Sequence, residues 1–157
     1  MKEHRHQPTI EWTGNRGTGT SHYRDYDRSH CLNADGKPPI PASSDPAFRG
    51  DAAAWNPEDL LVASLSSCHM LWYLHLAAMA KIVVVGYRDQ PEGVMAEDKT
   101  GSGRFTHAIL RPEVTIAAGS DPAKAADLHH DAHKMCFIAN SVNFPIECQP
   151  IIQIEPA

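Results

Sequence analysis

The residues of this chain best suited to chemistry are cysteines. There are four, Cys31, Cys68, Cys136 and Cys148. Cys68 lies in the middle of a long apolar segment and Cys136 closes a second helix-like one. An unpaired cysteine is most often a small buried hydrophobe. Two cysteines from different helices can also meet in space and act as a redox pair, and sequence distance does not argue against this. Redox work needs a thiolate. A mid-helix cysteine gains little from the helix dipole, which fades within the first turn, so a neighbouring cation must lower its pKa. The candidate cations are Arg16, Arg24, Arg28, Arg49 and several of the ten histidines. Cys31 and Cys148 read as structural or incidental thiols.

The histidines invite a second reading. His129, His133 and Cys136 fall at spacings of four and three, and His130 with His133 makes another such pair, so one helix face could present zinc ligands. There is no CxxC and no HExxH, and no fourth ligand is evident. No metal is therefore expected, and a solvated helix face is the plainer interpretation. The glycine-rich stretch near Arg16 lacks both GxGxxG and the P-loop pattern, which leaves no nucleotide site.

These side chains need elements to place them. Asn56-Pro57-Glu58-Asp59 is a helix start: Asn56 suits the N-cap, Pro57 the first helical position, and the two acids the positive end of the dipole. The segment that follows has no Gly or Pro and predicts one helix of about six turns over 57–80. Its leucines keep to no single stripe, which predicts burial on most faces, against a sheet or a partner subunit. On this helix Leu61, Ser64, Leu65, Leu71, Trp72 and His75 share the face of Cys68. Plain core packing is the expected role of Leu61 and Leu65, and His69 and His75 are expected to be buried and hydrogen-bonded. Asp121-Pro122 opens a second helix to about Met135. Strands are expected near 8–13 and 18–24, at 82–87, at 104–116 and at 150–154. Gly101-Ser102-Gly103 is the expected turn between the 82–87 and 104–116 strands, and 37–51 is a long, ordered proline-rich loop. Segregated strands and helices give an α+β class.

The chain is 157 residues long, 42% hydrophobic and 21% charged, with a net charge of −5. This is enough for one domain, 1–157, with a β-rich part over 1–55 and the helices and remaining strands over 56–157. A mildly acidic chain is not a general nucleic-acid binder and carries no polybasic membrane anchor. No apolar run reaches the roughly 18 residues of a membrane span, and the first residues lack a signal-peptide core, so a cytoplasmic location is expected. Four cysteines in such a chain are not a disulfide scaffold.

Asn56-Pro57-Glu58-Asp59-Leu60-Leu61-x-Ala63-Ser64-Leu65-x-x-Cys68 resembles the signature of the OsmC-like proteins, which include the organic hydroperoxide resistance proteins. Cys136 sits where that family has its second redox cysteine. Gly14-Asn15-Arg16-Gly17-x-Gly19-Thr20 resembles the family's glycine- and arginine-bearing hairpin. The chain departs from many members in having Phe137 and Ile138, rather than proline, after the second cysteine, and in the 21–46 segment with its extra Cys31. The resemblance implies an α+β fold in which a β-sheet wraps a long central helix, and an intertwined homodimer with sites at the subunit interface. It implies a cysteine-based peroxidase of oxidative-stress defence. Cys68 is then the peroxidatic residue and Cys136 resolves its sulfenic acid as a disulfide. Arg16, ahead of Arg24 and Arg49, stabilises the thiolate, and Glu58 holds the arginine. No cofactor is implied beyond an external dithiol, a lipoyl protein or another thiol reductant. Ten helical residues rise about 15 Å, so a site containing both Glu58 and Cys68 requires Glu58 from a second subunit. A non-catalytic redox-sensing or small-molecule-binding protein on the same fold is the alternative.

Overall fold

The computed structural model describes residues 2–156. The chain divides into two compact units, Met1–Leu60 and Leu61–Ala157.

In the first unit, β1 (Thr9–Trp12), β2 (His30–Asn33) and β3 (Ile40–Ala42) form an antiparallel sheet in that order. The long connection between β1 and β2 folds back on itself. Asn15 bridges Tyr26, and Asp27 N–H donates to Gly14 O at 2.8 Å. Gly14 is required there, because a Cβ would stand 1.9 Å from Asp27 O. The expected strand at 18–24 is absent: these residues form turns, with Gly17 and Gly19 at positive φ, a conformation that strands do not use. The proline-rich stretch is ordered as expected, and holds β3 and a 3₁₀ turn over Pro46–Phe48 capped by Asp45.

Helix α1 spans Pro57–Met79. Asn56 caps it, its Oδ1 accepting from Asp59 N–H at 2.7 Å. Its buried residues are Leu65, His69, Tyr73 and Ala77, one row at a spacing of four. Burial on most faces is therefore not found within one chain. Leu71 and Met79 stand 61% and 73% exposed. By length and mean hydropathy, 1.3 over 18 residues, α1 could cross a bilayer, which corrects the expectation that no segment is long enough. The expectation counted unbroken apolar runs, whereas a window average tolerates the serines and histidines of α1. His69 on its buried row and the packing below are those of a core helix.

In the second unit, β4 (Val84–Asp89), β7 (Pro112–Ile116) and β9 (Ile151–Ile154) make one sheet in the order β4-β7-β9. A second sheet, in the order β5-β6-β8, contains β5 (Glu92–Glu97), β6 (Gly103–Leu110) and β8 (Ile146–Cys148). The segment 104–116 is thus two strands in two sheets. Pro112 has no N–H for a ladder, and the Arg111 N–H donates to Asp89 Oδ1 at 2.7 Å instead of to a strand. The turn at 101–103 leads from β5 into β6 rather than from the strand at 84–89. Helix α2 (Pro122–Met135) starts where expected, with Asp121 Oδ1 accepting from Ala123 and Lys124 N–H. A 3₁₀ turn, Ala139–Ser141, follows.

Two cores result. Tyr73, Ala77, Ile82, Val114, Ile116 and the α2 residues Ala125, Leu128 and Ala132 make the first. Leu65, Ala108, Leu110 and Cys136 make the second, with Cys68, Trp72, Ile138, Phe144, Ile146 and Cys148 packed on it.

Candidate functional site

The second core brings Cys68 and Cys136 together. Cys68 reaches it from the middle of α1, half-buried. Cys136 is the C-cap of α2, at φ −69° and ψ 111°, where the chain leaves the helix, and its side chain is fully buried. All four cysteines are free thiols. Burial pushes the Cys136 thiol up to about 11. The Ala139 N–H, which donates to Cys136 Sγ at 3.4 Å, opposes this, and the adjacent Cys68 adds to it. A cleft of about 230 Å³ lined by Leu71, Trp72 and His75 opens one turn further along α1. The Trp72 ring stands edge-on to His75 (5.8 Å) and to Phe137 (5.7 Å). Leu65 and Trp72 share the face of Cys68 as expected, whereas His75 is exposed rather than buried. It lies on the side of α1 away from the buried row.

The other expected site residues stand as follows. Arg16 is exposed on the connection between β1 and β2; its guanidinium donates to Arg24 O and pairs with Asp27 (Nε–Oδ1 3.7 Å). Arg28 stacks between Tyr23 and Tyr26, at 4.4 and 4.2 Å from the ring centres. Arg49 has φ 66° and lies over Tyr23 at 5.7 Å. Glu58 sits in the first turn of α1, and its Oε2 is buried with no hydrogen-bond partner among the described residues.

The histidine face expected on α2 is not assembled as the spacing suggested. His129 is buried, but Cys136 packs with Cys68 in the second core and does not join it. His129 meets His69 of α1 instead: His69 Nε2 and His129 Nδ1 are 3.0 Å apart. Cys148, at the end of β8, completes the group at 3.7 Å from His69 Nε2 and 3.9 Å from His129 Nδ1. The parallel pairing of Leu110 with Cys148 carries this thiol there. Burial lowers His69 to about 4 and His129 to about 3, so both rings are neutral at pH 7. Burial raises Cys148 to about 12. Sequence reasoning foresaw a buried, hydrogen-bonded His69 but missed the triad. Its members lie 60 and 79 residues apart, and no local pattern joins them.

A family model described as OsmC-like protein matches residues 50–150. The chain belongs to the OsmC-like family. An OsmC-like protein of unknown function from Vibrio cholerae is similar, at 32% identity over 95% of this chain and 100% of that one, with a TM-score of 0.86. An organic hydroperoxide resistance protein from Elizabethkingia anophelis is 18% identical over 98% and 100% of the two chains, with a TM-score of 0.67. The organic hydroperoxide resistance protein OhrB of Bacillus subtilis is 17% identical over 96% and 98%, with a TM-score of 0.56. At these identities the last two show the fold alone. No curated protein matches the sequence significantly. The fold is OsmC-like, with mixed α and β content.

Proposed function

We propose that this protein is a thiol peroxidase that reduces organic hydroperoxides to alcohols. The observation that carries this reading is the packing of Cys68 and Cys136 in one core, on a chain of the OsmC-like family. The Cys68 thiolate attacks the terminal oxygen of the hydroperoxide. The O–O bond breaks, the alkoxide takes a proton and leaves as alcohol, and Cys68 becomes a sulfenic acid. The Cys136 thiolate then attacks the Cys68 sulfur, forming the disulfide and releasing water after one protonation. An external dithiol, a lipoyl protein or another reductant, returns the pair to two thiols and is itself oxidised to a disulfide.

Arg16 is assigned to stabilising the Cys68 thiolate and Glu58 to holding the arginine. The partnerless Glu58 Oε2 supports a guanidinium arriving from elsewhere, since a buried carboxylate oxygen left unpaired is costly. The cleft at Leu71, Trp72 and His75 is apolar and suits the organic part of the substrate rather than hydrogen peroxide. The active form is a homodimer; the exposed apolar residues of α1, Leu71 and Met79, support a second chain covering that helix. We place the protein in the cytoplasm, where thiols are kept reduced. Steady-state consumption of cumene hydroperoxide with a dithiol tests the reading. Cys68→Ser abolishes turnover, whereas full activity in that variant contradicts the assignment.

A further inference from the structure

The His69, His129 and Cys148 cluster lies outside the peroxidase reading. It is the one group of three potential metal ligands that converges among the described residues. We propose that His69 Nε2, His129 Nδ1 and Cys148 Sγ form a binding site for a single zinc-type divalent ion.

The distances carry the inference. Tetrahedral zinc, with bonds of about 2.0–2.1 Å to nitrogen and about 2.3 Å to sulfur, sets its ligands about 3.3 Å apart (N···N) and about 3.6 Å apart (N···S). The three donor atoms stand 3.0, 3.7 and 3.9 Å apart. The spacing is thus set to within a few tenths of an ångström. The two imidazole planes differ by only 9°, with the nitrogens facing each other. An entering ion replaces their hydrogen bond and turns both rings toward Cys148.

Chemistry and access agree with the spacing. Each neutral imidazole has a lone pair on one ring nitrogen to give. With the ion on the facing nitrogen of each ring, the proton of the ring that donated their hydrogen bond moves to its far nitrogen, where the other ring already carries its own, so the histidines release none. The Cys148 thiol gives up its proton to solvent on coordination, and the complex carries one net positive charge. A cleft of about 280 Å³, lined in part by His129, His130, His133 and Cys148, leads to the site. It has room for water or His133 as the fourth ligand. The Tyr73 ring stacks on His129 at 3.9 Å and covers one face of it. His69 Nδ1 and His129 Nε2 are buried without partners among the described residues, so the hydrogen bond between the rings does not satisfy this polar cluster.

The test is titration of the reduced, chelator-stripped protein with Co²⁺ and then with Zn²⁺. One equivalent of Co²⁺ should give a thiolate-to-cobalt charge-transfer band that Zn²⁺ abolishes. Cys148→Ser should remove the band and weaken Zn²⁺ binding at least about 100-fold, since even changes to residues around the ligands cost 10–100-fold. The double variant Cys68→Ser, Cys136→Ser should keep both. The proposal is overturned by the absence of binding, by Zn²⁺ binding indifferent to Cys148→Ser, or by a band lost only in the double variant. Should Cys148→Ser fail to fold, zinc-edge X-ray absorption of the wild-type protein decides. One sulfur and at least two imidazole nitrogens are expected; no sulfur, or two, overturns the site. Neither readout depends on peroxidase activity, so the two proposals fail separately.

Discussion

At the scale of residues, the two cysteines were legible and the third was not. Cys68 stands ten residues after Glu58 in a motif with a specific spacing, and Cys136 closes a segment with a clear helix start. Cys148 carries no local pattern; it becomes interesting only through its approach to His69 and His129. The reverse error came from the same cause. Helical spacing put Cys136 on a face with His129 and His133, whereas Cys136 packs with Cys68 and Leu110 and His129 meets His69 of α1. Trp72 gives the residue-scale prediction. It borders the cleft beyond Cys68 and supplies much of that cleft's apolar wall. Trp72→Ala should raise KM for cumene hydroperoxide about tenfold, the effect of roughly 1.4 kcal/mol of lost apolar contact. It should leave KM for hydrogen peroxide nearly unchanged. Equal effects on both peroxides would remove Trp72 from substrate binding.

At the scale of elements, the helices were readable because their starts are chemical. Asn56-Pro57 and Asp121-Pro122 place a capping side chain before a residue that needs no helical partner for its nitrogen, and both caps are made. The strands were harder. β2 and β8 are four and three residues long and only partly buried, too short for alternation to show. The break at Arg111 was hidden because Leu110, Pro112 and Val114 are all buried and keep one alternation across two strands. How α1 meets α2 has a measurable consequence. His69 and His129 are held neutral down to about pH 4 and 3 in the folded chain, against 6.5 ordinarily, by burial first. His133 lowers His69 further and Asp89 opposes; Cys148 faces both rings. Below pH 6.5 the unfolded chain binds more protons than the folded one. Stability is therefore full above 6.5 and declines as the pH falls toward 4. The Tm of metal-stripped protein should drop between pH 7 and 5, and His129→Gln should flatten that slope. Equal slopes in the two proteins would contradict the burial account.

At the scale of the whole molecule, the α+β class was legible because strands and helices are segregated along the chain. The number of sheets was not, since parallel pairs such as β6 with β8 join segments that only the folded chain brings together. The expectation that α1 is buried on most faces, by a sheet or a partner subunit, is met within one chain along one row only. A helix apolar nearly all round suggests a core, yet a single chain covers one row of it and leaves Leu71 and Met79 in water. In the proposed homodimer a second chain would cover the rest. Sedimentation equilibrium should return twice the mass of one chain at micromolar concentration, and a single-chain mass would remove the homodimer from the proposal.

The central claim is that Cys68 and Cys136 form a working redox pair, and mass spectrometry tests it most directly. The reduced protein is treated with one equivalent of cumene hydroperoxide, and its intact mass and peptide map are recorded. The account predicts a loss of two hydrogens and a Cys68–Cys136 linked peptide. An unchanged mass with both thiols still alkylatable would contradict it.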